Sequence, residues 1–441
     1  MSHSHLTVFS LLESEGGTAS REAAEIRDLR RDCVECDRAY RRFVMFGDRR
    51  RSGAAGRPRS KDLAILEKWD HQAAPALAES FLAAPPQQRR ELIDREAETY
   101  ATPAVIVGLL ARARELMRHA PREALELHSE VCRLAHRVPE ALYGRLRPSE
   151  LQSLAEGHRA NALRVTDDLQ GADGLWENLR AHLRHLPVED GGIRGELDSL
   201  EASLRQDQRR FGEAAELLAS AESHYRRLDD RRGLTKVLIK WGIVSQLMKD
   251  QEQALRHFSE AARLLHDAED PRLPLMVVHN QALSLCELRR FAEARTLVEQ
   301  ATELYAACDD EAITTPRLWL EATVALGLGE DHRGEKLLLT ARDAFLELGQ
   351  TYSAALVGLD LAEIYLAQGR HFSTKRLAVS LARIFGDQGV PAELAKALQT
   401  FRRAAFDETL SRQLIAAMRQ SMQLARGNSP LHSPSSGHPE P

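Results

Sequence analysis

The sequence predicts an all-α protein in which antiparallel helical hairpins stack into an α-solenoid. Three observations support this prediction. Small residues recur every 40 positions through the second half of the chain, and apolar residues recur between them at spacings of three and four. The strict alternation of apolar and polar residues that marks β-strands is absent from the sequence.

The 40-residue period is carried by three sites in each repeat. The first site is occupied by Ala162, Ala202, Gly242, Ala282, Ala322 and Ala362. The second site is occupied by Gly174, Ala214, Ala254, Ala294, Gly334 and Thr374. The third site is occupied by Ala181, Ala221, Ala261, Ala301, Ala341 and Leu381. Since two helices that cross closely tolerate only small side chains at their contact, this ladder predicts a series of hairpins.

Residues 1–60 do not share the repeat. A helix is predicted from Arg21 to about Phe46, and the Arg- and Gly-rich stretch 49–61 reads as a flexible linker. Two further helices, Asp62 to Leu82 and Pro86 to Tyr100, are split by Ala-Ala-Pro-Pro and predict a helical cap over residues 61–104.

The predicted repeat solenoid covers residues 105–406. Its first hairpin spans about Pro103 to His136, with Pro121 in the first turn of the second helix. An insertion around Leu142 to Glu156 separates this hairpin from six ladder units, which run from about Pro148 to Ile384.

After the ladder, a helix is predicted at Ala392 to Phe406, followed by a capping helix within residues 407–426, at Glu408 to Arg426. Residues 427–441 are rich in Ser, Pro and Gly and predict a disordered tail.

Small residues at positions 8, 20 and 27 of a helix-turn-helix unit are the strongest part of the tetratricopeptide pattern, and all three positions keep step here over five periods. The chain therefore resembles the tetratricopeptide repeat family, in a long-period bacterial form, since its period is 40 residues instead of about 34. This resemblance implies a right-handed solenoid that binds proteins or peptides on its concave face.

Composition narrows the possible functions. The chain carries 65 acidic and 60 basic residues, a net charge of −5, so no global basic field favours nucleic acid. No apolar run is long enough to span a membrane, and the amino terminus lacks a signal-peptide pattern, so we expect a cytoplasmic protein with no membrane partner. The excess of Arg over Lys, together with abundant Ala, indicates a bacterial source. The oligomeric state is left open.

Chemical motifs are few. Cys33 and Cys36 form a CxxC pair that could share a metal ion or cycle a disulfide. No second pair of metal-ligating residues lies nearby, and the simpler interpretation is that both cysteines are packing residues of a helix. Motifs for phosphate binding, dinucleotide binding, zinc proteases and serine hydrolases are absent. The sequence therefore predicts a non-enzyme without cofactor or metal.

In the tetratricopeptide family the first helix of each hairpin lines the concave groove through positions 2, 5, 9 and 12. The resemblance therefore implies that partner contacts are made by Lys236, Ile239, Gln246, Met276, His279, Trp319 and Thr323. Ile243, Leu283 and Leu326 occupy equivalent positions but read as packing residues. Trp319 is the strongest candidate, because Trp is enriched among residues that dominate binding energy.

We therefore expect a protein-interaction scaffold or adaptor that binds a protein or peptide segment in this groove. The alternative hypothesis is a bacterial regulator, in which the repeats sense a partner or ligand and the amino-terminal helices act on DNA or another effector. A basic recognition helix in residues 20–100 would support it, but that region shows a mixed-charge helix, a linker and two cap helices.

Overall fold

The computed structural model describes residues 60–117, 119–185, 188–265, 272–306, 311–386, 392–407 and 409–425. All regular structure in these ranges is helical, which confirms the predicted all-α class. The chain divides into two compact units, Met1–Leu204 and Arg205–Pro441. The predicted helix and linker of residues 1–59, with Cys33 and Cys36, lie outside the described residues, as does the tail 427–441.

The first unit contains the predicted cap and the first hairpins. Its helices are α1 (Ser60–Ala83), α2 (Pro86–Arg95), α3 (Ala97–Tyr100), α4 (Pro103–Leu116), α5 (Pro121–Ala135), α6 (Glu140–Tyr143), α7 (Leu146–Val165), α8 (Leu169–His185) and α9 (Gly191–Asp207), whose last residues belong to the second unit. In sequence order, α1 packs on α4, α4 on α5, α5 on α7 and α7 on α8. A continuous apolar core runs between these helices.

Helix boundaries in the first unit follow local signals. Thr102 caps α4 by accepting a hydrogen bond from the amide of Val105, and Pro103 fills the first helical position. The prediction of one helix from Pro86 to Tyr100 is wrong, because the backbone leaves helical geometry at Glu96 (φ −122°, ψ 26°). The predicted insertion consists of the short α6 and an early start of α7 at Leu146.

The second unit continues the repeats. Its helices are α10 (Phe211–Arg227), α11 (Arg231–Leu247), α12 (Gln251–Leu264), α13 (Arg272–Glu287), α14 (Phe291–Gln300), α15 (Thr302–Ala306), α16 (Glu311–Gly327), α17 (Asp331–Glu347), α18 (Thr351–Ala367), α19 (His371–Gly386), α20 (Ala392–Phe406) and α21 (Arg412–Ala425). Each of the longer helices packs on the next along the chain. The last one begins at Arg412 instead of Glu408, because the hydroxyl of Ser411 caps it by accepting from the Leu414 amide.

The ladder of small residues is buried throughout the second unit. Ala254, Ala282, Ala294, Ala322 and Ala341 each have 0% exposure, as the close crossing of two helices requires. In the hairpin of α7 and α8, however, the second and third sites are wrong. Nothing approaches within 4 Å of a Cβ placed on Gly174, and Ala181 is half-buried. The buried residues of α8 are Ala172, Trp176 and Leu179, so its register is displaced by two residues.

The displacement arises in the turn between the two helices. Where the first helix of a hairpin ends, one residue adopts the left-handed conformation, and these residues keep the 40-residue period: Arg209, Lys249, Arg289, Gly329 and Gly369. The next amide then closes the helix, as Asp250 N does on Ser245 O at 2.9 Å. In the α7–α8 turn the left-handed residue is Asp167, two positions early for this period, so α8 starts two residues early.

Candidate functional site

The predicted groove residues lie on α11, α13 and α16, the first helices of three successive hairpins in the second unit. Since α11 contacts α13 and α13 contacts α16, the three helices present one continuous surface. Lys236 is exposed on this surface. Five other predicted residues are half-buried, namely Gln246, Met276, His279, Trp319 and Thr323.

Ile239 does not belong to this surface. Its side chain is 2% exposed and lies in the core, so it is not available to a partner, and this part of the prediction is wrong. The neighbouring Ile243, which the sequence assigned to packing, is likewise buried at 9% exposure. Helical spacing alone does not separate these positions, because the groove and the core both lie along one wide face of α11.

Gln246 joins two of the helices. Its side-chain amide donates to the backbone carbonyl of Asn280 and to the hydroxyl of Ser284, both at 2.9 Å. Because these two acceptors lie on α13, the amide ties α11 to α13 and holds this part of the surface in a defined geometry. Gln246 therefore has a structural role in addition to any contact with a partner.

The side chain of His279 contacts the aromatic residue Tyr305. The hydroxyl of Tyr305 lies 3.4 Å from His279 Nδ1, and the guanidinium of Arg317 lies 4.6 Å from the centre of the tyrosine ring. Burial raises the pKa of Tyr305 to about 12, so its hydroxyl stays protonated at neutral pH. The ring of His279 is thus positioned by α15, while Arg317 on α16 is anchored by Glu321 at 2.7 Å.

Trp319 is part of the repeat packing. Its indole nitrogen donates to Asp360 at 2.6 Å, and its ring meets the buried ring of Phe345 edge-on, with centroids 6.1 Å apart. Its backbone carbonyl accepts the hydroxyl of Thr323 at 3.0 Å. Trp319 therefore has a packing role in addition to any contact with a partner, because it links α16 to both α17 and α18.

A charged cluster adjoins Trp319, and the sequence did not indicate it. Arg419 on α21 donates to Asp360 at 2.6 Å and to Glu363 at 3.3 Å. Burial raises the pKa of Glu363, and the charge of Arg419 partly opposes that rise. Glu363 lies one 40-residue period after Thr323, so continuing the repeat positions would have found it. Arg419 lies outside the repeat, so the 40-residue period could not have predicted its position in this cluster.

In the described residues, potential metal ligands are dispersed and the cysteine thiols are buried. Within the described ranges, no group of three or more His, Cys, Asp or Glu side chains could hold a metal ion. Cys132 and Cys286 are buried, and burial raises the pKa of both thiols well above the usual range. In the ranges that the structure describes, no helix is both long and apolar enough to cross a membrane.

The sequence matches none of the protein-family models and none of the curated proteins with which it was compared. Solved structures do resemble it. A Rap protein complexed with Competence and Sporulation Factor is 16% identical, over 72% of this chain and 90% of that chain, with a TM-score of 0.54. The apo form of RapI is 13% identical, over 73% of this chain and 87% of that chain, also with a TM-score of 0.54.

A third solved structure is a STAND protein with a tetratricopeptide repeat sensor from Pyrococcus horikoshii. It is 13% identical, with a TM-score of 0.50, and the match covers 82% of this chain and 54% of that chain. At these identities the likeness concerns the fold, and the fold is that of tetratricopeptide-type helical repeats. The resemblance inferred from the spacing of small residues is confirmed.

Proposed function

We propose that the chain is a non-enzymatic scaffold or adaptor, and that α11, α13 and α16 bind a protein or peptide segment. One observation carries this proposal: three first helices in contact present a continuous row of half-buried apolar and polar side chains. Met276 and the half-buried Trp319 offer apolar contact area, whereas Lys236 and His279 offer charge or hydrogen bonds. A few anchors of this kind supply most of the binding energy in known interfaces.

Side-chain hydrogen bonds between neighbouring first helices form this surface in the chain by itself, without a partner. Gln246 ties α11 to α13, and Trp319 ties α16 to Asp360 on α18. A preformed surface loses little conformational entropy on binding, so most of the ordering cost falls on the partner. The Rap protein that shares this fold is itself described in a complex with a factor, which supports a binding role for such repeats.

Substitutions that test the surface must spare its packing. Trp319→Ala would remove the contact with Phe345 and the bond to Asp360, so a loss of binding in that variant would have two explanations. Met276→Glu combined with Lys236→Glu changes one half-buried and one exposed side chain instead. The matched control is Leu228→Ser, which alters an apolar residue that is 53% exposed at the end of α10.

The test is an affinity capture from lysate of the source cells, with wild type, the double variant and the control side by side. We expect one protein that survives nuclease treatment, is retained by the control and is lost with the double variant. Capture of the same proteins by all three forms would refute the proposed surface. Circular dichroism of each form verifies that its helix content is unchanged.

The alternative proposal is a regulator whose repeats sense a ligand or partner while its amino-terminal region acts on DNA or another effector. The Pyrococcus horikoshii protein favours this alternative, because its repeats are described as a sensor within a longer chain. Nucleic acid in the captured material, or proteins lost on nuclease treatment, would support the regulator over the scaffold. In that case truncation of residues 1–59 should abolish the capture.

A further inference from the structure

Three exposed apolar side chains converge at the carboxyl-terminal end of the repeats. Phe372 is 74% exposed, Val379 is 48% exposed and Phe406 is 51% exposed. Together with Lys375, Arg376 and Ser380 they line a shallow cleft of about 470 Å³ between α19 and α20, which we name the α19–α20 cleft. Single exposed apolar residues are ordinary on protein surfaces, but a cluster of them indicates a contact site.

The cleft lies on the face of α19 that is opposite the packing face of this helix. Thr374, Leu377 and Ala378 on that helix are buried at 4%, 4% and 1% exposure, so they form its packing face. Phe372, Lys375, Arg376 and Val379 lie at spacings of three and four on the other face. None of these residues belongs to the surface of α11, α13 and α16.

The electrostatics of the cleft are one-sided. Among the described residues, its lining holds two cationic side chains, Lys375 and Arg376, and no carboxylate. On α20 the exposed Arg402 precedes Phe406 by one helical turn and extends the basic rim. Asp407 directly follows Phe406 in the sequence. Its carboxylate Oδ2 lies 3.8 Å from Arg403 Nε, so its charge is paired with that arginine. A protein of net charge −5 therefore presents a basic, aromatic patch at this position.

We propose that the α19–α20 cleft binds an acidic amphipathic segment of a partner protein, with large apolar side chains seated on Phe372, Val379 and Phe406. Charge complementarity selects this occupant. The chain's own terminal segments do not fit, since residues 1–60 carry 12 Arg and 9 acidic groups and residues 426–441 carry one Arg and one Glu. The concave shape of the cleft favours inserted side chains over a flat lipid surface.

The test uses a display library of random 16-residue peptides, selected against the full-length protein. We expect enrichment of peptides with Asp or Glu and with apolar residues at spacings of three and four. Selected peptides, labelled with fluorescein, are then titrated by fluorescence polarisation. Phe372→Ser and Arg376→Glu should each weaken binding about tenfold or more, as central interface residues do. Affinity should fall as salt rises.

The control is Met248→Ser, which changes an apolar residue of 51% exposure outside the lining of the cleft and should leave the affinity unchanged. Peptides that bind wild type and Phe372→Ser equally, or that show no acidic preference, would overturn the proposal. So would co-sedimentation with phosphatidylserine vesicles that depends on Phe372, or a dimer that Phe372→Ser dissociates. Circular dichroism shows whether each variant is folded, and Phe372→Tyr should retain binding if the ring supplies the contact.

Discussion

Adding one methyl group at Gly242 tests the packing of the repeats. Gly242 lies at the first site of the ladder on α11, opposite Phe258 on α12. An ideal Cβ on Gly242 would lie 2.7 Å from Phe258 Cδ1, and closer still to Cε1 and Cζ. Phe258 has 0% exposure, so its ring cannot move aside into solvent without displacing its packed neighbours. Gly242→Ala must therefore push two packed helices apart.

The magnitude follows from two opposing contributions. Replacing Gly by Ala inside a helix stabilises it by about 1 kcal/mol. Overpacking a well-filled core costs about 1–3 kcal/mol. We expect Gly242→Ala to lower the free energy of unfolding by up to about 2 kcal/mol. The matched variant Gly174→Ala lies inside α8, where a Cβ meets nothing within 4 Å, so it should raise stability by about 0.5–1 kcal/mol.

The assay is chemical denaturation followed by circular dichroism at 222 nm, with midpoints compared between variants. The two substitutions are chemically identical, so the difference between their effects on stability isolates the contact with Phe258. A double-mutant cycle with Phe258→Leu should recover part of the loss, because the smaller side chain leaves room for the new methyl group. A Gly242→Ala protein stabilised as much as Gly174→Ala would refute the close approach of α11 and α12.

Three further predictions concern the backbone, the thiols and the buried imidazoles. Lys249→Gly should stabilise the protein by about 0.5–1 kcal/mol, because Lys249 has φ 66° and only glycine adopts this conformation without strain. Cys286, whose pKa burial raises to about 12, should resist alkylation at pH 8 until denaturant is added. Burial, then the charges of His158 and Arg114, lower the pKa of His128 to about 3. Its unfolded form binds a proton near pH 6.5, so stability should be lost as pH falls from 6.5 towards 3, by up to about 1.4 kcal/mol per pH unit.

For each of these three predictions, one experimental outcome would contradict it. A lower denaturation midpoint in Lys249→Gly would mean that the left-handed turn is not strained. Rapid labelling of native Cys286, read by mass spectrometry, would place its thiol at the surface. His128→Gln removes the titrating group, so its stability should depend less steeply on pH between 6.5 and 4 than that of wild type. Equal slopes would show that the imidazole is not buried in its neutral form.

Helix positions and the repeat period follow from local information. An amphipathic helix is specified by apolar residues three and four positions apart, and its ends by residues such as Thr102 and Pro103. The small residues Ala282 and Ala322 predicted that two helices cross closely at these positions, and both residues are fully buried. Neighbours within one helical turn encode these features, so the fold class and most helices were readable from composition and spacing.

Features that depend on residues far apart in sequence required three-dimensional packing. The predicted register of α8 was wrong because the left-handed residue of the preceding turn, Asp167, comes two positions early. No periodicity in that segment predicts this displacement. Trp319 is engaged by Asp360, and Asp360 by Arg419, over separations of 41 and 59 residues. The angles at which helices cross decide whether such side chains meet. Spacing along one helix tells which face a residue occupies, whereas packing decides what that face touches.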